Sequence, residues 1–335
     1  MEKYRAGAHG EFADKPSAIS KSGWKDVLLR VKDQIASDNL SIVAAGVAFY
    51  ALLALFPALA ALVMTYGLIS DPAEVTAQLA PLRSLMPAGA FDLLDSQLTA
   101  VSARENTAVG VGLLFSLLLA VWSSAKGTKA LFMALNIAYG ENETRGLIRL
   151  NIVALLFTAG AVLFVVAAIA LIAGVPAVLA FINLGGALER VASLARWPVI
   201  AGLAVVALAI LYRWGPSRAA AKFRWITPGA AVATALWLAG SVAFSIYVEN
   251  FGSYNETYGS VGAVVILLLW FFVSAYCVCL GAELNSELEH QTRRDSTTGP
   301  VRPAGNRGAF VADHWAGSSS STENANNPLE ERNHA

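Results

Sequence analysis

The residues of this chain that are able to do chemistry lie in its tails or at the ends of long apolar segments. All four histidines lie in the tails: His9, His290, His314 and His334. Without a histidine inside the apolar segments, neither a metal cluster nor a catalytic triad of serine, histidine and aspartate is available there. A serine–lysine pair of Ser123 or Ser124 with Lys126 is conceivable. The alternative is that such hydroxyls bond to helix carbonyls, so we expect no enzyme and no cofactor.

The remaining polar candidates gather at the two ends of the apolar segments. Lys126, Arg145 and Glu283 belong to a cationic rim on one side, and Glu249 and Glu256 flank a hairpin on the other. One interpretation is an ordinary basic rim and a solvated hairpin. The other is a gate, in which the two hairpin glutamates form the outer mouth and the basic rim attracts anionic lipid headgroups inside.

Six long apolar segments must position these groups. The chain of 335 residues is 56% hydrophobic and only 14% charged, with a mean hydropathy of +0.54. A helix needs about 20 apolar residues to cross the hydrocarbon core of a bilayer. Charge-free runs of roughly this length occupy residues 41–69, 108–125, 150–175, 198–212, 227–248 and 260–282. The sequence therefore predicts an all-α, polytopic membrane helix bundle with six transmembrane helices.

The distribution of Lys and Arg predicts the orientation of this bundle. The two tails, the second-to-third loop and the fourth-to-fifth loop contain 20 of the 24 basic residues, and the other three loops contain 4. Cytoplasmic segments carry such an excess, so we expect both termini in the cytoplasm. The formal net charge of zero gives no reason to expect a nucleic-acid partner.

Composition divides the chain into four segments. Residues 1–21 are polar and are expected to be flexible, and residues 22–39 place apolar side chains at helical spacing between basic ones. This amphipathic helix either lies on the inner leaflet of the membrane or packs on cytoplasmic loops. Residues 40–290 form the six-span membrane domain. Residues 291–335 are rich in Ser, Thr, Asn, Gly and Pro, which predicts a disordered cytoplasmic tail.

Four motifs follow one another along the apolar part of the chain. They are residues 48–59 (AFYALLALFPAL), 122–149 (WSSAKGTKALFMALNIAYGENETRGLIR), 227–234 (TPGAAVAT) and 258–284, which begins with Tyr-Gly and contains LLLW and LGAEL. In this order they resemble the YihY/BrkB family of bacterial inner-membrane proteins. The resemblance covers residues 38–288 and leaves both tails out.

The resemblance implies a six-helix protein of the inner membrane and much less about activity. The positions that recur in the family are, in this chain, Tyr50, Pro57, Trp122, Lys126, Arg145, Pro228, Gly229, Tyr258, Gly259, Trp270, Gly281 and Glu283. Ala54 and Phe272 depart from the family, which commonly has serine and tyrosine there. Members have carried a ribonuclease label. Hydrolysing RNA needs metal ligands or an acid–base pair in a water-filled site, and the apolar segments offer neither.

Ten residues are the resulting candidates for function: Pro57, Lys126, Arg145, Pro228, Gly229, Glu249, Glu256, Tyr258, Gly259 and Glu283. The uncharged spans favour a transporter-like protein for an amphipathic or lipid-like substrate, because a lipid needs no charged group in the middle of the membrane. The alternative is a non-catalytic membrane scaffold or envelope-assembly partner. The expected partners are membrane lipids, an envelope protein or a second copy of the chain in a homo-oligomer, and no nucleic acid.

Overall fold

A computed structural model describes residues 9–69, 125–169, 171, 186–250 and 260–316 of the chain. Within these ranges the secondary structure is helical and no strand longer than an isolated bridge occurs. The helices are α1 (Lys21–Ser37), α2 (Leu40–Ile69), α3 (125–138), α4 (Leu147–Ile169), α5 (Gly186–Trp214), α6 (Phe223–Asn250), α7 (Ser260–His290) and the short α8 (Phe310–Asp313). The predicted all-α fold is thus confirmed for the described residues.

Four of these helices are long and apolar enough to cross a membrane. Their spanning windows are Leu147–Phe164, Trp197–Trp214, Phe223–Val248 and Val264–His290. A fifth crossing results if α1 and the first half of α2, which meet at a bend of 63°, are taken as one broken span. The predicted span at 108–125 lies outside the described residues except for Ala125. The described part of the chain therefore contains four or five candidate spans.

Helix α1 packs one face on the protein itself. Ser20 caps it by accepting a hydrogen bond from the amide of Gly23 (3.2 Å). Val27 and Val31 are buried in a cluster with Leu284 and Leu288 of α7. This face of α1 therefore packs on α7, whereas the neighbouring Leu28 and Leu29 are exposed.

The segments that flank the helix bundle form a folded unit, which we call the terminal cap (residues 9–20 and 291–316). The amide of Arg293 donates to the carbonyl of Glu11 (2.7 Å), and the hydroxyl of Thr292 donates to the carbonyl of Ala13 (2.8 Å). Arg307 is 7% exposed and its guanidinium donates to three backbone carbonyls within the second segment. These hydrogen bonds fix both segments against the end of α7.

The terminal cap lies within the two ranges, 1–21 and 291–335, for which the sequence predicts flexibility and disorder. Residues 9–20 and 291–316 are ordered by backbone hydrogen bonds and by buried polar side chains. A composition poor in apolar residues predicts disorder because it offers little apolar surface to bury. In this case polar contacts supply part of the order, and the buried side chains of Ala13, Ile19 and Val311 supply the rest by packing into hydrophobic clusters with the helices. Residues 1–8 and 317–335 lie outside the described residues.

Two loops between helices join the terminal cap. The amide of Ala219, between α5 and α6, donates to the carbonyl of Gly308 (2.8 Å). The amide of Phe310 donates to the carboxylate of Glu141 in the loop between α3 and α4 (2.7 Å). Both loops and both terminal segments therefore meet at one end of the bundle, which we call the capped end.

Helices α6 and α7 cross at two glycines. A Cβ atom added at Gly229 would lie 2.1 Å from the carbonyl oxygen of Gly281, and one added at Gly281 would lie 2.6 Å from the carbonyl oxygen of Gly229. Small residues allow such close approach between helices in membranes. Since the obstructing atoms are backbone, no side-chain rotation could make room for a methyl group.

Pro228 and Asn285 complete the crossing. Pro228 lies inside α6 and has no amide hydrogen, so the helix ladder is interrupted next to the crossing. The fully buried Asn285 of α7 spans the interruption. Its side-chain oxygen accepts from the amide of Gly229 (2.8 Å), and its side-chain nitrogen donates to the carbonyl of Ile226 (2.9 Å). One side chain thus forms a hydrogen bond with a buried donor and with a buried acceptor of the α6 backbone.

The crossing predicts that Gly229→Ala destabilises the protein. Forcing a methyl group into this contact should cost about 1–3 kcal/mol, the usual range for overpacking. The matched control is Gly202→Ala in α5, where an added Cβ meets nothing within 4 Å. Thermal unfolding in detergent, followed by tryptophan fluorescence, should show a lower midpoint for Gly229→Ala and an equal or higher one for Gly202→Ala. Equal midpoints for Gly229→Ala and the wild type would contradict the crossing.

Candidate functional site

A cavity of about 990 Å³ opens among α3, α4, α5, α6 and α7. Most of its lining is aliphatic or aromatic, with Phe157 and Phe164 on the α4 side, Ala207 and Leu208 on α5, and Val278 on α7. The long apolar runs that make these helices able to cross a membrane also make the walls of the cavity. The walls are therefore suited to hydrocarbon.

The few hydroxyls in these walls are engaged in local hydrogen bonds. Thr234 donates to the carbonyl of Ala230 (2.8 Å), and Ser274 donates to the carbonyl of Trp270 (2.9 Å). The predicted alternative for the hydroxyls of the spans, bonding to carbonyls of the preceding turn, is confirmed for these two residues. Their hydroxyl hydrogens are therefore not available to a ligand in the middle of the cavity.

The capped end of the cavity is cationic. Four arginines line it: Arg145, Arg149, Arg213 and Arg218. They come from the loop between α3 and α4, the first turn of α4, the last turn of α5 and the loop between α5 and α6. Among the described residues that line the cavity there is no aspartate or glutamate. The cavity is thus amphipathic, with apolar walls and a positive end.

Arg145 is paired within its own loop. Its guanidinium donates to both carboxylate oxygens of Glu143 (2.6 and 2.7 Å) and to the carbonyl of Gly215 (2.9 Å). The side chain of Arg145 is 9% exposed. These hydrogen bonds from Arg145 hold the pKa of Glu143 well below its ordinary value, at about 2. The pair ties the loop before α4 to the loop after α5.

Arg218 is paired with the end of α7. It forms a salt bridge of 2.7 Å with Glu289, and the exposed fractions of the two side chains are 2% and 0%. Glu289 also accepts from the hydroxyl of Ser296 in the terminal cap (2.6 Å). A buried charge pair of this kind needs such extra hydrogen bonds to offset its loss of hydration. Arg218 therefore fastens the cavity end to the terminal cap.

Arg213 and Arg149 differ from Arg145 and Arg218 in that neither forms a salt bridge with a described carboxylate. The guanidinium carbon of Arg213 lies 4.9 Å from the ring centroid of Trp214 and 4.3 Å from that of Phe223. Its Nε atom is buried and has no hydrogen-bond partner among the described residues. Arg149 is exposed. Among the described residues no carboxylate forms a salt bridge with either arginine.

The structure separates the candidates of the predicted basic rim. Of Lys126, Arg145 and Glu283, only Arg145 lines the cavity. Lys126 is exposed on α3. Glu283 is fully buried in α7, where Asp38 from the junction of α1 and α2 is its neighbour. The three residues therefore do not form one site.

The other candidates either lie within the helices or fall outside the described residues. Pro228 and Gly229 belong to the crossing of α6 and α7, where they shape the backbone next to the cavity. Pro57 lies within α2 and Glu249 lies near the end of α6. The predicted outer gate falls largely outside the described residues, since Glu256, Tyr258 and Gly259 are not among them.

Two residues outside the ten candidates are important in the structure. Arg213 lines the cavity, and Asn285 holds the crossing of α6 and α7 beside it. A signal for Arg213 was available, because Trp214 follows it directly and Phe223 marks the start of the next helix. Asn285 had no comparable signal, since its partners are backbone groups 56 and 59 residues away.

Residues 31–305 match the model of the family described as virulence factor BrkB. The chain belongs to this family. The resemblance to the YihY/BrkB family that the four motifs carry is therefore confirmed. The BrkB match extends through residue 305 and so includes part of the terminal cap.

Relatives of this BrkB-family chain include membrane proteins from several bacteria. The ribonuclease-like protein YfkH of Bacillus subtilis is 29% identical over 253 residues, which cover 74% of this chain and 90% of YfkH. A UPF0761 membrane protein of Photobacterium profundum is 28% identical over 278 residues, which cover 79% of this chain and 82% of that protein. No solved structure matches the chain. With its apolar helices, the chain is a membrane protein of the BrkB family.

The pair of Arg145 and Glu143 predicts a specific dependence of stability on pH. Because the pKa of Glu143 is about 2 in the folded protein and ordinarily 4.5, the stabilisation is complete above about pH 4.5 and is lost as the pH falls toward 2. We expect wild type to unfold at a higher temperature than Glu143→Gln at pH 7. The gap should narrow between pH 5 and pH 3, as the approximate pKa values require.

The measurement is a pair of thermal unfolding series over this pH range in one detergent. Using the difference between wild type and Glu143→Gln removes the contribution of all other carboxylates, which titrate in both proteins. A gap that stays constant down to pH 3 would show that the carboxylate is not held by Arg145.

Proposed function

We propose that this membrane protein binds an amphipathic, lipid-like molecule in the cavity and transports it within the membrane. One observation carries the proposal: the cavity has hydrocarbon-like walls along the helices and arginines at a single end. Its volume of about 990 Å³ lies at the upper end of the range typical of small-molecule sites. A molecule with acyl chains and a polar headgroup would place its chains against the apolar walls and its headgroup near the arginines.

The orientation of the bundle forms part of the proposal. We propose six crossings, with both termini in the cytoplasm of a bacterial cell and the bundle in its inner membrane. The distribution of Lys and Arg supports this orientation. It is also supported by the contacts of the terminal cap with the two basic loops, since four basic segments meet at one end. The arginines of the cavity then face the inner leaflet.

We propose that the chain acts without catalysis. The relative YfkH is named ribonuclease-like, and that name concerns YfkH. In the described part of this chain, the cavity lining offers arginines and hydroxyls but no carboxylate or histidine to act as a general base. Binding and movement of a lipid require neither group.

A bulky side chain in the cavity wall should weaken lipid binding. Ala207→Trp fills the cavity from α5 and is expected to lower the amount of retained lipid about tenfold, which corresponds to a loss of about 1.4 kcal/mol. The matched control is Val206→Trp on the next residue of α5, which is 56% exposed and does not line the cavity. Native mass spectrometry of both variants, released from the same membrane mimetic, measures the retained lipid.

Transport is measured separately, in vesicles that contain the protein and a fluorescent lipid. Chemical bleaching from outside should reach the lipid of both leaflets with wild type and with Val206→Trp, and only the outer leaflet with Ala207→Trp. Binding without movement would refute transport and favour the scaffold. Equal lipid retention by both tryptophan variants, together with a co-purifying polypeptide, would refute the cavity as the lipid site.

A further inference from the structure

Among the described residues, the four arginines at the capped end of the cavity outnumber the carboxylates that pair with them. Arg145 is neutralised by Glu143, and Arg218 is neutralised by Glu289. Arg149 and Arg213 have no carboxylate partner among the described residues, and none of those residues that line the cavity is acidic. Two positive charges therefore remain at the end of an otherwise apolar space. Such charges are costly next to a membrane unless they meet an anion.

Arg213 is held in place without being neutralised. The rings of Trp214 and Phe223 contact its guanidinium at 4.9 and 4.3 Å, and these rings lie edge to face with centroids 6.0 Å apart. Cation–π contacts fix the position of an arginine but leave its charge in place. Within the described part of the chain, the buried Nε–H of Arg213 still lacks an acceptor. An acceptor supplied by a ligand would remove the cost of this unpaired donor.

Arg149 adds the second charge from the start of α4. It lies in the first turn of that helix, which begins at Leu147. The amide groups of a first turn carry partial positive charge and have no acceptor within the helix. Arg149 is exposed, so its side chain is able to follow a headgroup as it enters. The cavity thus offers one fixed and one adaptable guanidinium at the same end.

We infer that Arg149 and Arg213 bind the phosphate of an anionic lipid whose acyl chains occupy the apolar cavity. This inference rests on the proposed function and names its substrate class. The planar guanidinium presents paired donors that match the oxygens of a phosphate. Two unpaired guanidiniums suit a headgroup of one or two negative charges. The apolar walls at Phe157, Ala207 and Val278 distinguish a lipid from a free phosphate ester.

The test uses the purified full-length protein and three probes in native mass spectrometry. The probes are phosphatidic acid, diacylglycerol with identical acyl chains, and glycerol 3-phosphate. We expect phosphatidic acid to bind about tenfold more tightly than diacylglycerol or better, because diacylglycerol lacks the phosphate that the two guanidiniums would bind. Glycerol 3-phosphate should not displace phosphatidic acid at equal concentration. Complete displacement would identify a site for soluble phosphate esters and overturn the lipid assignment.

Variants of the two arginines test whether they bind the phosphate. Arg213→Gln and Arg149→Gln should each reduce the preference for phosphatidic acid, and the double variant should remove it while diacylglycerol binding stays unchanged. Arg224→Gln is the matched control, because Arg224 is an exposed arginine near the start of α6 that does not line the cavity. Since Arg149 is exposed, Arg149→Gln remains informative even if Arg213→Gln unfolds. An unchanged preference in Arg149→Gln and in a folded Arg213→Gln would overturn the inference.

The same experiment separates this inference from the proposed function. Equal binding of phosphatidic acid and diacylglycerol to wild type, abolished by Ala207→Trp, would keep the cavity as a lipid site and refute the phosphate site. Failure of both lipids to bind would refute the proposed function itself. A preference for phosphatidic acid that Arg149→Gln and Arg224→Gln reduce equally would reveal general charge attraction and refute the specific pair.

Discussion

The close approach of α6 and α7 at Gly229 and Gly281 is the constraint on which the cavity depends. The two backbones meet where not even a methyl group fits, so Thr234 on α6 and Ser274 on α7 are brought to the same wall. Asn285 makes this approach compatible with Pro228, because it bonds the backbone groups beside the interruption. A glycine pair and one amide side chain thus set the position of a wall built from two membrane helices.

The four arginines at the capped end differ in whether a carboxylate neutralises them. Arg218 is committed to Glu289, and this pair joins the cavity to the terminal cap. Arg145 is committed to Glu143 and to the neighbouring loop. Arg213 is positioned by aromatic rings, which fix a cation without consuming its charge. The difference between a carboxylate and an aromatic partner therefore decides which arginine is available to a ligand.

The sequence predicts helix positions well where a single local effect, the need for apolar residues in lipid, determines them. Long apolar runs predicted the positions of α2 and α4 to α7, because lipid as a solvent requires them. Pro228 and Gly229 were recognised through a motif. Composition does not predict the terminal cap, because its contacts join residues as far as 282 positions apart in the chain. Lys126 and Glu283 were grouped with Arg145 by their predicted side of the membrane, but position along the membrane normal does not determine which helix face a residue occupies.

The terminal cap also sets an order of events during synthesis. Gln291 donates a hydrogen bond to the carbonyl of His9, a partner 282 residues earlier in the chain. At roughly 5–20 residues per second, the first segment leaves the ribosome tens of seconds before the second exists. The early segment must remain without its partner while the helices insert. The terminal cap is therefore able to close only after translation has passed α7, so it cannot guide the insertion of the helices that precede it.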